Sequence, residues 1–531
     1  MDADQPRAEV IAVAGGRIVA LGERSSVEHS LTDYDVQVDD TFAERIIMPG
    51  FIEPHLHPYL AGVLLPMTFI TPHDWDIPGK QVKGVKGTQA YLKRLREAEA
   101  EQGDGDWLWT WGYHPYFHGD LDRHTLDQIS AERPMVVWHR SFHEIIVNTA
   151  ALKALGIDGS DHPQVDFARG HFYENGLYEL TPHIMPMLSR PWRYLSALSD
   201  ARDMIHAGGI TTVSDGAFGT VNFDTEWLSI RFSSWNRDSS PFRFMVLADG
   251  KGLGKSMGHE AARDFINRLP DKNTNKITFL PKQVKLFADG AAYSQLMQMT
   301  EGYLDGHEGE WMMTPETLES AARLYWRDGF QIHIHVNGDM GLERTLDIVE
   351  KLQAEHPRED HRTTIHHFAY ARPEQAQRMK DLGVWVSANP YYVWALSDKY
   401  GEVGLGPKRA DGMVPLKSVV DAGVPLSFHS DFTMAPVKPL LLAWTAITRL
   451  TSTGRVAGPE QRIDLTSALN AITLGAAAQL QMEDEVGSLA VGKKADFTIL
   501  EHDPYRRPAE QLKDIPIWGT VLEGELRPLP R

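Results

Sequence analysis

Pro49-Gly50-Phe51-Ile52-Glu53-Pro54-His55-Leu56-His57-Pro58 is the stretch on which the reading of this chain turns. It follows a short apolar run, Arg45-Ile46-Ile47-Met48, so residues 46–57 read as one buried strand. His55 and His57 stand two apart and face the same side of an extended chain, where two imidazoles can converge on one ion. Imidazole is the commonest side-chain ligand of zinc and similar metals. Two buried histidines with ordinary hydrogen bonds give the same local pattern, and a lone His-x-His does not choose between them.

Working outward, seven more strand candidates alternate with helical patterns: residues 210–214, 242–248, 284–288, 331–336, 363–368, 384–388 and 425–430. Helices are expected at 199–207, 315–328, 342–352 and 373–382. Pro315 and Pro373 sit where a helix start tolerates proline, and Gly329 and Gly383 lie just past helix ends. Eight strand–helix units predict an α/β fold, a (β/α)8 TIM-like barrel. Strand-like pieces at residues 9–22 and again at 487–500 and 518–522 are too short to bury separate cores, and they predict a small composite β-sandwich built from both termini.

Residues 71–195 break the alternation and carry Trp75, Trp107, Trp109, Trp111, Tyr113, Tyr116, Phe117 and Trp138. They read as an insertion after the first barrel strand, part pocket wall and part its own core. The expected organisation is thus 1–45 plus 483–531 for the composite β-domain, 46–70 plus 196–482 for the barrel, and 71–195 for the inserted subdomain.

The chain has 531 residues, 42% hydrophobic and 24% charged, more than one ordinary core accommodates. Its formal net charge of -19 argues against nucleic acid or an anionic membrane as partner. With no cysteine, a metal must sit on His, Asp, Glu or a modified Lys. The polar opening Met1-Asp2-Ala3-Asp4-Gln5 lacks the apolar segment of a secretory signal, and no run approaches membrane-spanning length, so a cytoplasmic protein is expected.

A barrel of this type carries its site at the C-terminal ends of the strands. The polar residues predicted there are His55 and His57 on strand one and Lys285 inside the apolar strand four. Strand five gives His335, strand six His366 and His367, and strand eight His429 and Asp431. Metal-competent groups recurring at equivalent places of a repeating pattern favour a metal site over ordinary buried histidines.

These motifs resemble the amidohydrolase superfamily, and within it the YtcJ-like subgroup that includes N-substituted formamide deformylases. The resemblance rests on Pro49–Pro58, Val284–Gly290, His335-Val336-Asn337-Gly338-Asp339, Ile365–His367 and Ser430-Asp431. It extends to His139–Leu152 in the insertion and to Gly487–Asp496 in the closing β-domain. It implies a centre of two divalent ions, zinc first with manganese or iron as alternatives. His55 and His57 would hold one ion, His335 and His367 the other, and Lys285 would bridge them as a carbamate. Asp431 would touch the first ion and shuttle a proton as metal-activated hydroxide attacks an amide or related C–N bond. His143, Trp111, Asn389 and His429 are candidates for contact with a small, apolar or aromatic substrate. Asp339 is expected to cap a helix. A homodimer is admitted as an assembly.

Two departures stand out. His366 replaces the acidic residue usual before the strand-six histidine, and His429 replaces a small residue before Ser430-Asp431; its alternative role is to fill the barrel interior. The first strand of the small domain also looks missing. Gly254-Lys255-Ser256-Met257-Gly258 matches a serine-hydrolase elbow but follows its strand after a loop, which disfavours that mechanism. The rival reading is a metal-site lyase or hydratase, or a ligand-binding descendant without hydrolytic turnover. Retention of Asp431 beside the ligand set favours the hydrolase.

Overall fold

Eight parallel strands form the central sheet: Phe51–Leu56, Ile210–Phe218, Arg243–Asp249, Ile277–Phe287, Gln331–Val336, Thr364–His367, Trp385–Ala388 and Leu426–Phe428. Each pairs with the next in chain order. The sheet curls into a nearly closed barrel. Just past the eighth strand, Asp431 N donates to His55 O at the end of the first (3.1 Å). In this computed structural model residues 6–103 and 106–530 are described; Met1–Gln5, on which the expectation about a secretory signal rests, lies outside the described residues.

The barrel strands are apolar runs because both faces are covered, one by interior side chains and the other by helices such as Pro315–Arg327, Asp339–Glu355 and Pro373–Asp381. Gly329 and Gly383 follow the first and third of these in the left-handed region (φ 77° and 69°), where a glycine stops a helix without strain.

The structure corrects the reading of 46–57 as one strand. Ile46–Pro49 pairs antiparallel with Phe497–Leu500 in a four-stranded sheet with Ile517–Leu522 and Glu525–Pro528, and only Phe51–Leu56 joins the barrel. Gly50 is the switch. A Cβ there would lie 2.1 Å from Thr211 Oγ1, so the chain passes from one sheet to the other only with glycine at that point. The N-terminal hairpin, Val10–Ala14 with Arg17–Gly22, forms its own two-stranded sheet. Its Ile18 N and O bond to Lys493 O and Gly492 N (2.9 and 2.8 Å), and Ile18 packs with Phe497, Ile499 and Val521.

The segment between the first and second barrel strands builds a six-stranded sheet from Thr68–Phe69, Leu108–Tyr113, Met135–His139, Glu144–Val147, Val165–Asp166 and His171–Tyr173. Trp75, Trp109, Trp111, Tyr113 and Trp138 are buried in its packing. Among the described residues no helix is long and apolar enough to cross a membrane.

Candidate metal centre

His55 and His57 end the first barrel strand, and Pro58 at the first position of the helix Pro58–Leu64 turns the chain away behind them. Their Nε2 atoms are 3.3 Å apart. Each Nε2 is 3.4 Å from Asp431 Oδ1, while His367 Nδ1 is 3.4 Å from Asp431 Oδ2. His429 Nε2 lies 3.1 Å from His367 Nδ1. Four ligands at ~2.0–2.1 Å around a tetrahedral zinc are separated by ~3.4 Å, so these edges have the size a cation needs. Two three-residue groups fit one: His55, His57 and Asp431, and His367, His429 and Asp431. Asp431 is common to both through its two oxygens.

The backbone is shaped for this convergence. Asp431 and His367 adopt φ of 51° and 75°, a region costing a non-glycine residue about 1–3 kcal/mol and held only where surroundings impose it. Gly216 on the second strand passes against His55: a Cβ there would sit 2.5 Å from the imidazole.

Electrostatics follow from burial. Desolvation pushes His55, His335, His366 and His367 well below the ordinary imidazole range, so they are neutral and carry lone pairs. For His57 burial is overcome by hydrogen bonds to Asp215 and Asp431, which hold it up at about 9. Burial opposes ionisation of Asp431, yet His367, His55 and His57 keep its carboxyl well below the usual range. A proton on His57 therefore stands where a cation would neutralise the same carboxylate. Lys285 is fully buried on the fourth strand, burial lowers its amine to about 7, and its Nζ has no hydrogen-bond partner among the described residues. A neutral buried amine of this kind can react with carbon dioxide, and the carbamate so formed offers two oxygens to cations.

The other expected residues fall at varied distances from this cluster. His335 packs its ring 4.4 Å from that of His367, and its Nε2 contacts Asn337 Nδ2 at 2.9 Å. His143 reaches in from the insertion, with its ring 5.7 Å from His335 and its Nδ1 2.8 Å from the buried Glu174 carboxylate. His429 stacks on His55 at 4.7 Å, and its Nδ1 contacts Ser387 Oγ at 2.8 Å. Asn389 is fully buried and donates to Ser430 O (3.1 Å), bracing the chain beside Asp431. Trp111 is also fully buried, with its ring face 4.7 Å from the Arg140 guanidinium. Asp339 is the first residue of its helix rather than the cap; its carboxylate accepts from Thr300 N and faces Arg372. Gly254, Ser256 and their neighbours lie within the helix Gly250–Met257, where Ser256 Oγ donates to Leu253 O.

Residues 43–527 match the model of the Amidohydrolase family. The chain belongs to that family. It is 24% identical to the N-substituted formamide deformylase of Arthrobacter pascens, over 99% of this chain and 96% of that protein. It is likewise 24% identical to the putative amidohydrolase YtcJ of Bacillus subtilis, covering 98% and 96%. In fold it is similar to an uncharacterized metal-dependent hydrolase from Pyrococcus horikoshii, with a TM-score of 0.68, 21% identity and 94% of each chain covered. This amidohydrolase is thus a hydrolase acting on carbon–nitrogen bonds other than peptide bonds.

Several residues that touch this cluster escaped the sequence reading. Asp215 stands 3.4 Å from His57 Nδ1 and orients that ring. Glu53 accepts from Ser430 N at 3.0 Å through one oxygen and from His55 N at 3.3 Å through the other; burial raises its carboxyl to about 8. A signal existed for Glu53, since Glu-x-His-x-His puts it on the same strand face as the histidines. Arg140 gave none, because the Thr433 and Met434 carbonyls to which it donates are remote in sequence.

Proposed function

We propose that this amidohydrolase hydrolyses an amide or related C–N bond of a small, apolar or aromatic molecule at a two-cation centre formed by His55, His57, Lys285, His335, His367 and Asp431. The observation that carries the reading is Asp431, whose oxygens each stand 3.4 Å from imidazole nitrogens on different strands. Divalent cations held by these residues would supply a water of lowered pKa and polarise the scissile carbonyl.

The chain's own groups do the rest. Asp431, ionised at neutral pH, takes a proton from the attacking water and returns it to the leaving nitrogen. Lys285 in carbamate form replaces an ammonium with an anion, which balances added positive charge. His143, oriented by Glu174, offers its Nε2 to the substrate from the insertion side. The formamide deformylase relative favours N-substituted formamides as first substrates to try, and Phe287, whose ring lies 5.7 Å from that of His335, favours apolar substituents.

The test pairs elemental analysis of protein purified without added metal with a screen of N-substituted formamides and aryl amides. One to two transition-metal ions per chain and hydrolysis of at least one amide are expected. Full activity in metal-free protein would sink the proposal, and bound metal with turnover confined to elimination or hydration would favour the lyase reading.

A further inference from the structure

Beneath His55 the barrel interior holds a continuous file of polar side chains, all buried to 1% exposure or less: Gln283 on strand four, His333 on strand five, His366 on strand six and His55 itself. Gln283 Oε1 is 3.0 Å from His333 Nε2, His333 Nδ1 is 2.9 Å from His366 Nε2, and His366 Nδ1 is 2.6 Å from His55 Nδ1. We propose that Gln283, His333 and His366 form a directional hydrogen-bond relay that fixes the tautomer of His55 and leaves its Nε2 lone pair free for a cation. The inference rests on the reading of His55 as a metal ligand.

The direction follows from what each group can do. A neutral imidazole has one donor nitrogen and one acceptor nitrogen. Among the described residues no carboxylate hydrogen-bonds to His333 or His366, so nothing holds a second proton on either ring. Gln283 Nε2 faces Leu480 O at 3.4 Å, which turns its amide oxygen toward His333. That oxygen only accepts, so His333 carries its proton on Nε2. His333 Nδ1 then accepts from His366 Nε2–H, and His366 Nδ1 accepts from His55 Nδ1–H. The remaining nitrogen of His55 is Nε2, which points at His57 Nε2 and Asp431 Oδ1.

The reverse direction fails at Gln283, where it would set the amide oxygen against the Leu480 carbonyl. With a cation bound it would also place a proton on His55 Nε2 where the cation would sit. Gln479 also approaches His366 Nε2, at 3.4 Å, with its oxygen toward Ser427 Oγ. The relay requires that amide turned end for end, accepting from His366 Nε2–H and donating to the Ser427 hydroxyl, which plays either part. The relay thus does for this chain what a carboxylate at position 366 would do alone, namely accept the Nδ1 proton of the metal-facing histidine.

The experiment measures zinc affinity of the apoprotein by competition with a chelator. Gln283→Met removes the terminal acceptor and is expected to weaken zinc by ~10–100-fold, the usual cost of losing a partner behind a ligand. Gln283→Glu keeps an accepting oxygen there and should bind as wild type does. His366→Glu supplies a direct acceptor to His55, so Gln283→Met should become silent in that background. Equal losses in both backgrounds would mean that Gln283 merely packs, and the relay would be overturned. Wild-type protein that takes up no zinc would overturn the metal reading and this inference with it. A second measurement needs no variant: nitrogen-15 NMR of histidine-labelled apoprotein should find His55 protonated on Nδ1 and His333 and His366 on Nε2. His55 protonated on Nε2 would overturn the relay.

Discussion

Burial leaves Asp431 and Lys285 in contrasting states: the carboxylate keeps its charge, and the amine is brought close to losing its own. Asp431 stays ionised although buried, because three imidazoles surround it. Asp431→Asn keeps the shape and one ligating oxygen but accepts no proton at neutral pH. Turnover is expected to fall by ~10²–10⁴-fold, in kcat rather than KM, with modest change in metal content on the same preparation. Near-wild-type kcat would transfer the proton to another group. Lys285 titrates near 7 when folded against 10.5 for the free side chain. Between those values the unfolded chain binds a proton that the folded, metal-free chain has lost, so stability rises with pH across that window. Below about pH 7 the full cost of burying an ammonium is present. In bicarbonate-free buffer, Lys285→Met should therefore stabilise the apoprotein most at low pH, with the gap in urea midpoint closing as pH rises from 7 to 10.5. A gap independent of pH would mean that the amine is not desolvated.

At the scale of elements, the insertion reaches the centre through Arg140 as well as through His143. Arg140 lies fully buried at the end of the strand Met135–His139, its guanidinium 4.6–4.9 Å from the rings of Trp75, Trp111 and Tyr293. It donates to Thr433 O and Met434 O at 2.5 and 2.7 Å, clamping the loop that carries Asp431. Arg140→Met strands the Thr433 carbonyl, at about 1–3 kcal/mol, leaves Met434 O to the Tyr293 hydroxyl, and frees the loop. Both the urea midpoint and kcat should fall; a lost midpoint with wild-type kcat would make Arg140 a packing residue only. This contact also shows what the sequence could not carry. The strand at 331–336 is legible because an apolar run ends in ligand-type residues at Gln331–Val336, as observed. The fourth strand begins at Ile277 rather than 284, because Pro281 and the positive φ of Lys282 interrupt its pattern. His55, His57, His367 and Asp431 are legible by residue type and place. Arg140 is 293 residues from its carbonyl partner and Gln283 is 50 from His333, so their roles exist only after folding.

At the scale of the whole molecule, the terminal sheet is wired into the barrel rather than appended to it. Gly50 N donates to Asp496 O and Phe51 N to Thr498 Oγ1, both at 2.9 Å, and Thr498 Oγ1 donates to Gly209 O at 2.6 Å. Arg243, the first residue of the third barrel strand, forks onto Asp496, Thr212 Oγ1 and Glu523. Arg243 and Asp496 are 8% and 4% exposed, so removing one partner leaves a buried charge without its counterion. Arg243→Met is expected to cost about 3–5 kcal/mol, and Arg243→Met with Asp496→Leu to recover much of it, since an apolar pair of similar volume is often tolerated where half an ion pair is not. The strand that Asp496 precedes pairs with Ile46–Pro49, which runs directly into His55 and His57, so loosening this joint loosens the centre. Heating should therefore show one transition in wild type and variant alike, moved down in Arg243→Met, with bound zinc lost over the same interval. A separate early transition in Arg243→Met that leaves zinc bound would show instead that the terminal sheet melts on its own and that the barrel holds the centre without it.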